Sequence, residues 1–157
     1  MKEIWKDIPD YEGLYQASNF GRVRSVDRYI KQYNGYNYST RIYKGRILKC
    51  NIGNSGYLKV ILQKKGKRRT YNVHRLVANT FILNPNNYPQ INHKDENKLN
   101  NNINNLEWCT STYNINFGNR NIKVSNKLIG VSKSEEHRKK LSIARKKYLK
   151  KIKKEIV

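Results

Sequence analysis

Tyr88 to Asn119 reads YPQINHKDENKLNNNINNLEWCTSTYNINFGN, and the rest of the chain is organised around it. Pro89-Gln90-Ile91-Asn92 has the make-up of a short strand and runs directly into His93. A loop dense in Asn, Asp and Lys follows, and then a second short apolar run, Leu106-Glu107-Trp108-Cys109. After that run a helix can start on Thr110 or Ser111. The predicted order is strand, loop, strand, helix. A histidine stands where the first strand ends, and Asn114 stands about one turn into the helix.

His93 is one of three histidines, and of these only it lies between a strand end and a loop rich in polar side chains. A neutral imidazole is well matched to take a proton from water near neutral pH. Hydrolysis of a phosphodiester also calls for a divalent cation, and Mg²⁺ prefers oxygen ligands while keeping several waters. Asn92 and Asn114 could supply two such oxygens. Neighbours on a strand point to opposite faces, however, unless the strand ends or twists between Asn92 and His93. Asn105, just before Leu106, could tie down the loop that carries His93. Each Asn alone says little, because most copies in so Asn-rich a chain serve turns and caps. The four positions together carry the signal.

Upstream, residues 74–83 (HRLVANTFIL) change the period: Val77, Ala78 and Phe81 share a helical face with His74, and Asn84-Pro85 ends the helix. On that face His74 is expected to be a satisfied structural histidine, with the helix behind the site as its floor. Tyr57 to Gln63 places Leu58, Val60 and Leu62 on one face and can pair with Arg68 to Val73 across the turn at Lys64–Lys67. Lys64, Lys65, Lys67, Arg68 and Arg69 crowd that tip, which meets either phosphates or open solvent. Tyr29 to Tyr43, YIKQYNGYNYSTRIY, has little periodicity and reads as a long loop or irregular hairpin. Its tyrosines could stack on nucleic acid or simply occupy the surface. Residues 1–28 read as a small β-rich unit. In it a strand over Arg22–Val26 would bury Val23 and offer Arg22 and Arg24 on the other face, as a contact surface or as a solvated edge.

The chain has 157 residues, with 33 Lys and Arg against 11 Asp and Glu, a net charge of +22. Charge of this size speaks of a polyanionic partner, most often nucleic acid, rather than of a fold. Residues 120–157 hold 14 basic and 3 acidic side chains, half of the net charge on about a quarter of the length. Ser132 and Glu135 form a capping-box pattern, after which His137, Leu141, Ala144 and Tyr148 recur at helical spacing. Such a basic amphipathic helix suits DNA, a membrane surface or a partner protein. Cys50 and Cys109 are too few for a structural zinc site and read as small buried hydrophobes. No run reaches the roughly 18 apolar residues of a membrane span. The N-terminus lacks the apolar core of a signal peptide, so a cytoplasmic setting, in a bacterial host cell, is the expectation. The Asn, Lys, Ile and Tyr content fits an AT-rich genome such as a phage's.

Ile91-Asn92-His93-Lys94-Asp95, Asn97-Lys98, Asn100-Asn101 and Asn105-Leu106-Glu107-Trp108 closely resemble the HNH family of endonucleases, in particular its phage homing branch. Val73-His74-Arg75-Leu76-Val77-Ala78 matches the segment that precedes the site in that branch. Trp5–Pro9, Tyr11–Tyr15, Ser18–Val23 and Ser25 look like the nuclease-associated DNA-binding module that often accompanies it. Gly130-Val131-Ser132 and Ser134–Ser142 resemble a short helical repeat of modular homing nucleases. The resemblance implies a ββα-metal fold in which His93 is the general base, Asn105 braces the His loop, and Asn92 and Asn114 hold one Mg²⁺ or Mn²⁺. Many relatives carry Asp where this chain has Asn92, and a neutral amide oxygen holds Mg²⁺ less strongly than a carboxylate. Asp95 and Glu96 are nearby carboxylates, with either a contributing or a loop-surface role.

The expectation is therefore an α+β chain in three parts: an N-terminal β-rich DNA-binding module (1–56), a central HNH nuclease domain (57–119), and a basic linker with a helical DNA-binding tail (120–157). It would hydrolyse a phosphodiester bond of double-stranded DNA, leaving a 5′ phosphate and a 3′ hydroxyl. With one site per chain, a monomer on DNA would nick one strand. The expected DNA contacts are Arg22, Arg24, Lys64, Lys65, Lys67, Arg68, Arg69, Lys139, Lys140, Arg145 and Lys146. No membrane partner is expected. The rival is a DNA-binding protein whose nuclease centre has decayed, favoured by the missing acid at position 92; a third reading is an RNA-directed basic protein.

Overall fold

The computed structural model describes residues 2–118 and 120–155; Asn119, the expected end of the nuclease domain, lies outside the described residues, as do Met1, Ile156 and Val157. The architecture is mixed α and β, with several small antiparallel sheets and few helices. It divides into two compact units, residues 1–117 and 118–157.

The first unit opens with a three-stranded sheet of β1 (Trp5–Asp7), β2 (Tyr15–Ser18) and β3 (Val23–Ser25). Val23 is buried, while Arg22 and Arg24 face the other way, as the alternation predicts. A hairpin of β4 (Arg28–Tyr33) and β5 (Tyr38–Tyr43) follows. The expected loop or irregular hairpin is in fact regular, paired from Arg28 opposite Tyr43 to Tyr33 opposite Tyr38. Its signal is Asn34-Gly35: Gly35 takes φ +95°, and Asn34 Oδ1 accepts the backbone N–H groups of Tyr36 and Asn37. A further sheet holds β6 (Asn51–Ile52), β7 (Leu58–Lys64) and β8 (Lys67–Asn72). β7 and β8 turn tightly through Lys65 and Gly66, both at positive φ as a primed hairpin turn requires.

Helix α1 (Val73–Phe81) is the centre of the core. Its Val73, Leu76, Val77 and Ala78 are buried with Ile8, just after β1, with Tyr15, Ala17 and Val23 of the first sheet, and with Val60 and Leu62 of the second. Ile91 and Leu106 of the next hairpin join the same cluster. Residues from the expected N-terminal module and the expected nuclease domain thus pack into one core. The helix stops at Phe81, two residues short of the expected Leu83, which is 91% exposed on the way into Asn84-Pro85.

The second unit holds two helices, α3 (Arg120–Leu128) and α4 (Glu135–Glu155), where the sequence pattern points to one. The cap of α4 is also displaced from the Ser132–Glu135 expectation. Ser134 is the capping residue, its Oγ accepting the His137 backbone N–H at 3.2 Å. His137, Leu141 and Tyr148 are exposed within this unit.

His74 is buried in the core as expected, yet it is not satisfied: among the described residues its Nδ1 has no hydrogen-bond partner. Burial is the main force pushing its pKa down to about 3, helped by the neighbouring His93 and Arg75. A histidine held neutral in the fold but free to protonate when unfolded stabilises the fold above its unfolded pKa, near 6.5. That stability is lost as pH falls below this value toward about 3. Urea unfolding between pH 6.5 and 4 should therefore show a steeper loss of stability for wild type than for His74→Phe. The difference should approach about 1.4 kcal/mol per pH unit.

Candidate active site

The site is built on the hairpin of β9 (Gln90–His93) and β10 (Leu106–Cys109), followed by α2 (Ser111–Asn116). These elements fall where the sequence places them. Thr110 caps α2, its side chain accepting the Tyr113 backbone N–H at 3.1 Å. The strands are in register with Asn92 opposite Glu107 and His93 opposite Leu106. Trp108 Nε1 donates to the Ile82 carbonyl and Arg75 to the Pro89 carbonyl, which ties the hairpin to α1 and the segment after it.

His93 is 5% exposed, its ring edge-on to His74 at 5.2 Å and tilted against Tyr57 at 5.8 Å. Its Nε2 lies 3.2 Å from Asn101 Oδ1. Asn101 Nδ2 donates to the Leu99 carbonyl, so the amide oxygen faces the imidazole. An amide oxygen only accepts, which makes Nε2 the protonated nitrogen and leaves the lone pair on Nδ1. Burial lowers the pKa of His93 below the ordinary histidine value, opposed by the Asn101 hydrogen bond and the charge of Asp95. The ring is therefore set toward the neutral form that can accept a proton.

Asn105 braces the loop through several bonds. Its Nδ2 donates to Asp95 Oδ1 and to the Asn100 carbonyl, both at 2.8 Å, and its Oδ1 accepts the Asp95 N–H at 3.0 Å. Its carbonyl accepts the Lys94 N–H at 2.9 Å. Asp95 spends its other oxygen on Asn100 Nδ2 at 2.7 Å, and these bonds, led by that one, hold its pKa below the usual carboxylate range. The carboxylate is thus committed to the loop.

Asn92, 5% exposed, donates from Nδ2 to Glu107 Oε1 at 2.8 Å. Asn114 is half-buried one turn into α2, which lies against β9. Among the described residues no hydrogen bond joins Asn92 to Asn114, and no three His, Cys, Asp or Glu side chains gather as a metal cluster. Asn92 and Glu107, in contact across the strand pair, and Asn114 on α2 offer amide and carboxylate oxygens, hard donors of the kind suited to Mg²⁺ or Mn²⁺.

Asn101 is the site residue that sequence reasoning missed, since nothing sets it apart within the run Asn100–Asn102. The structure sets it apart by its neighbour. Gly21, at φ +86°, approaches so closely that a Cβ there would fall 2.7 Å from that of Asn101. The Asn19 carbonyl accepts the Ile103 N–H at 3.0 Å. The turn between β2 and β3 therefore backs the residue that orients His93.

The expected DNA contacts fare unevenly. Arg22 is ion-paired with Glu3, and Arg24 bonds Gln16 and covers the Trp5 ring at 4.4 Å. Lys64 reaches the Asp10 carbonyl, while Lys65, Lys67 and Arg69 line a cavity of about 320 Å³ beside it. Lys139 and Lys140 pair with Glu135 and Glu136 one turn earlier on α4, and Arg145 and Lys146 are exposed. Arg68 lines a cavity of about 580 Å³ together with Arg28, Lys44 and Arg46, and among the described residues no acidic side chain lines it. Arg28, whose buried Nε has no hydrogen-bond partner among the described residues, was not among the expected contacts, nor were Lys44 and Arg46. Lys44 and Arg46 are brought there by the return of the chain after β5 along β3, where the Ser25 N–H donates to the Arg46 carbonyl and the Leu48 N–H to the Val23 carbonyl.

Comparison with known proteins bears on this arrangement. Residues 3–63 match the NUMOD4 motif. The DNA endonuclease I-HmuI of Bacillus phage SP01 is 40% identical over 111 residues, 71% of this chain and 55% of that protein. An uncharacterised HNH endonuclease of Acanthamoeba polyphaga mimivirus is 44% identical over 93 residues, 59% of this chain and 28% of that protein. The chain thus spans between about a quarter and about half the length of these curated relatives. The solved structure of the HNH homing endonuclease I-HmuI, reported for its DNA binding and cleavage, superposes with a TM-score of 0.53 at 33% identity, covering 90% of this chain and 68% of that one. With the histidine-ended hairpin, its braced loop and these relatives all in agreement, the chain belongs to the HNH homing endonuclease family.

Proposed function

We propose that the chain is a metal-dependent endonuclease that nicks one strand of double-stranded DNA, built on a ββα-metal site with basic surfaces to hold the duplex. The observation that carries this reading is the state of His93: Nε2 is spent on Asn101, the lone pair is on Nδ1, and burial favours the neutral ring. In this reading His93 Nδ1 takes the proton of the attacking water. Asn105 keeps the loop, and so the ring, in place. Asn92 and Asn114 are the protein oxygens that would hold the cation. A divalent cation, when bound, supplies charge neutralisation at the scissile phosphate and the departing 3′ oxygen. The relatives' names support DNA as substrate, and the strand count rests on one site per chain, with the protein acting as a monomer in the cytoplasm.

The duplex is gripped by phosphate contacts that position without reading sequence. The cavity of Arg28, Lys44, Arg46 and Arg68 is a better candidate for such a contact than Arg22, whose charge is already answered by Glu3. The exposed tyrosines of the β4–β5 hairpin, among them Tyr29, Tyr36 and Tyr38, offer hydroxyl donors for further phosphate contacts. The tail adds a second electrostatic grip.

Supercoiled plasmid with Mg²⁺ or Mn²⁺ tests the chemistry. The expected result is nicking that is abolished by chelator and reduced about 10²–10⁴-fold in His93→Ala. DNA that is shifted but never cut would support instead the binding protein with a decayed centre. The grip is tested by binding to a non-specific duplex over a range of salt. Arg28→Ala and Arg46→Ala should each flatten the slope of log affinity against log salt by about 0.9, and Arg22→Ala by less.

A further inference from the structure

The departure at position 92 finds a physical account in the residue across the strand pair. Asn92 and Glu107 stand opposite each other on β9 and β10, and Asn92 Nδ2 donates to Glu107 Oε1 at 2.8 Å. The same oxygen accepts the Tyr113 hydroxyl of α2 at 3.2 Å. Because a carboxylate only accepts, the amide nitrogen of Asn92 has to face Glu107, and the amide oxygen is turned away from it. Glu107 is half-buried and lines a cavity of about 340 Å³ with Tyr88, Thr110 and Tyr113, on the side of the hairpin that α2 covers. An Asp at position 92 would set two carboxylates against each other across the pair, which is destabilising. The present pair carries one negative charge and one hydrogen bond.

We propose that Glu107 is a positioning residue for the metal half of the site: it turns the Asn92 amide oxygen away from itself, leaving that oxygen free to ligate, and supplies, from the neighbouring strand, the negative charge that residue 92 lacks. The inference rests on the metal-dependent reading above. Outer partners of this kind orient the ligating atom and raise its effective basicity, and their loss typically costs 10–100-fold in metal affinity. Glu107→Gln is the informative variant. Its side-chain oxygen can still accept the Asn92 N–H, so the geometry can persist while the charge is gone. The double variant Asn92→Asp/Glu107→Gln restores one charge and one amide–carboxylate bond with the roles exchanged.

The experiment is a titration of the whole protein with Mn²⁺, following the signal of the free ion by electron paramagnetic resonance. Mn²⁺-dependent nicking is measured in parallel, and a thermal melt checks that each variant is folded. The expected result is that Glu107→Gln melts like wild type yet binds Mn²⁺ at least about tenfold more weakly. Its nicking should need correspondingly more Mn²⁺, and the exchanged pair should recover both. Wild-type affinity in Glu107→Gln, or a folded exchanged pair that binds no better than Glu107→Gln alone, would overturn the inference while leaving the nuclease reading intact. A wild-type protein that neither binds Mn²⁺ nor nicks would instead remove the nuclease reading on which it stands.

Discussion

One nitrogen of His93 is already committed. The bond from Nε2 to Asn101 Oδ1 decides the tautomer, and the tautomer decides which atom can accept a proton. That bond needs Asn101 in one place, and Asn101 is held there from outside the hairpin. The Gly21 backbone packs directly against it, and the Asn19 carbonyl receives the Ile103 N–H two residues further on. No side chain fits at Gly21 without displacing Asn101, and its φ of +86° suits glycine besides. The turn of the N-terminal sheet therefore supports the His93 loop by direct contact.

The polar loop between β9 and β10 works on the same principle. A stretch with so many Asn and Asp side chains has little apolar surface to bury, so its order comes from hydrogen bonds. Asp95 accepts from Asn105, Asn97 and Asn100, and Asn105 closes the loop back on Lys94 and Asp95. The acid nearest His93 in sequence is thereby spent on structure. The carboxylate that Asn92 meets is that of Glu107, on the opposite strand.

The positive charge of the chain is likewise divided between committed and uncommitted cations. Glu3, Glu135 and Glu136 answer Arg22, Lys139 and Lys140, and exposed pairs of this kind contribute little to stability. Among the described residues, no acid lines the cavity shared by Arg28, Lys44, Arg46 and Arg68. These cations repel one another, and an anion placed there would relieve the repulsion.

The local order of the site was legible in the sequence. His93 ends β9, Leu106–Cys109 forms β10 and Thr110 caps α2, because each depends on short-range alternation, turn chemistry or a capping hydroxyl. The same holds for Val23 inward with Arg22 and Arg24 outward, and for the tight turn at Lys65-Gly66. The β4–β5 hairpin has its local signal in Asn34-Gly35, which overrides the poor periodicity around it. Sequence could not reveal which Asn of Asn100–Asn102 meets the imidazole, that Glu107 faces Asn92, or that Arg28, Lys44, Arg46 and Arg68 share a cavity. Those are relations between residues distant along the chain. They are decided by the close approach of Gly21, by strand register and by packing around α1, and a neighbour in space leaves no mark on the local pattern of either partner.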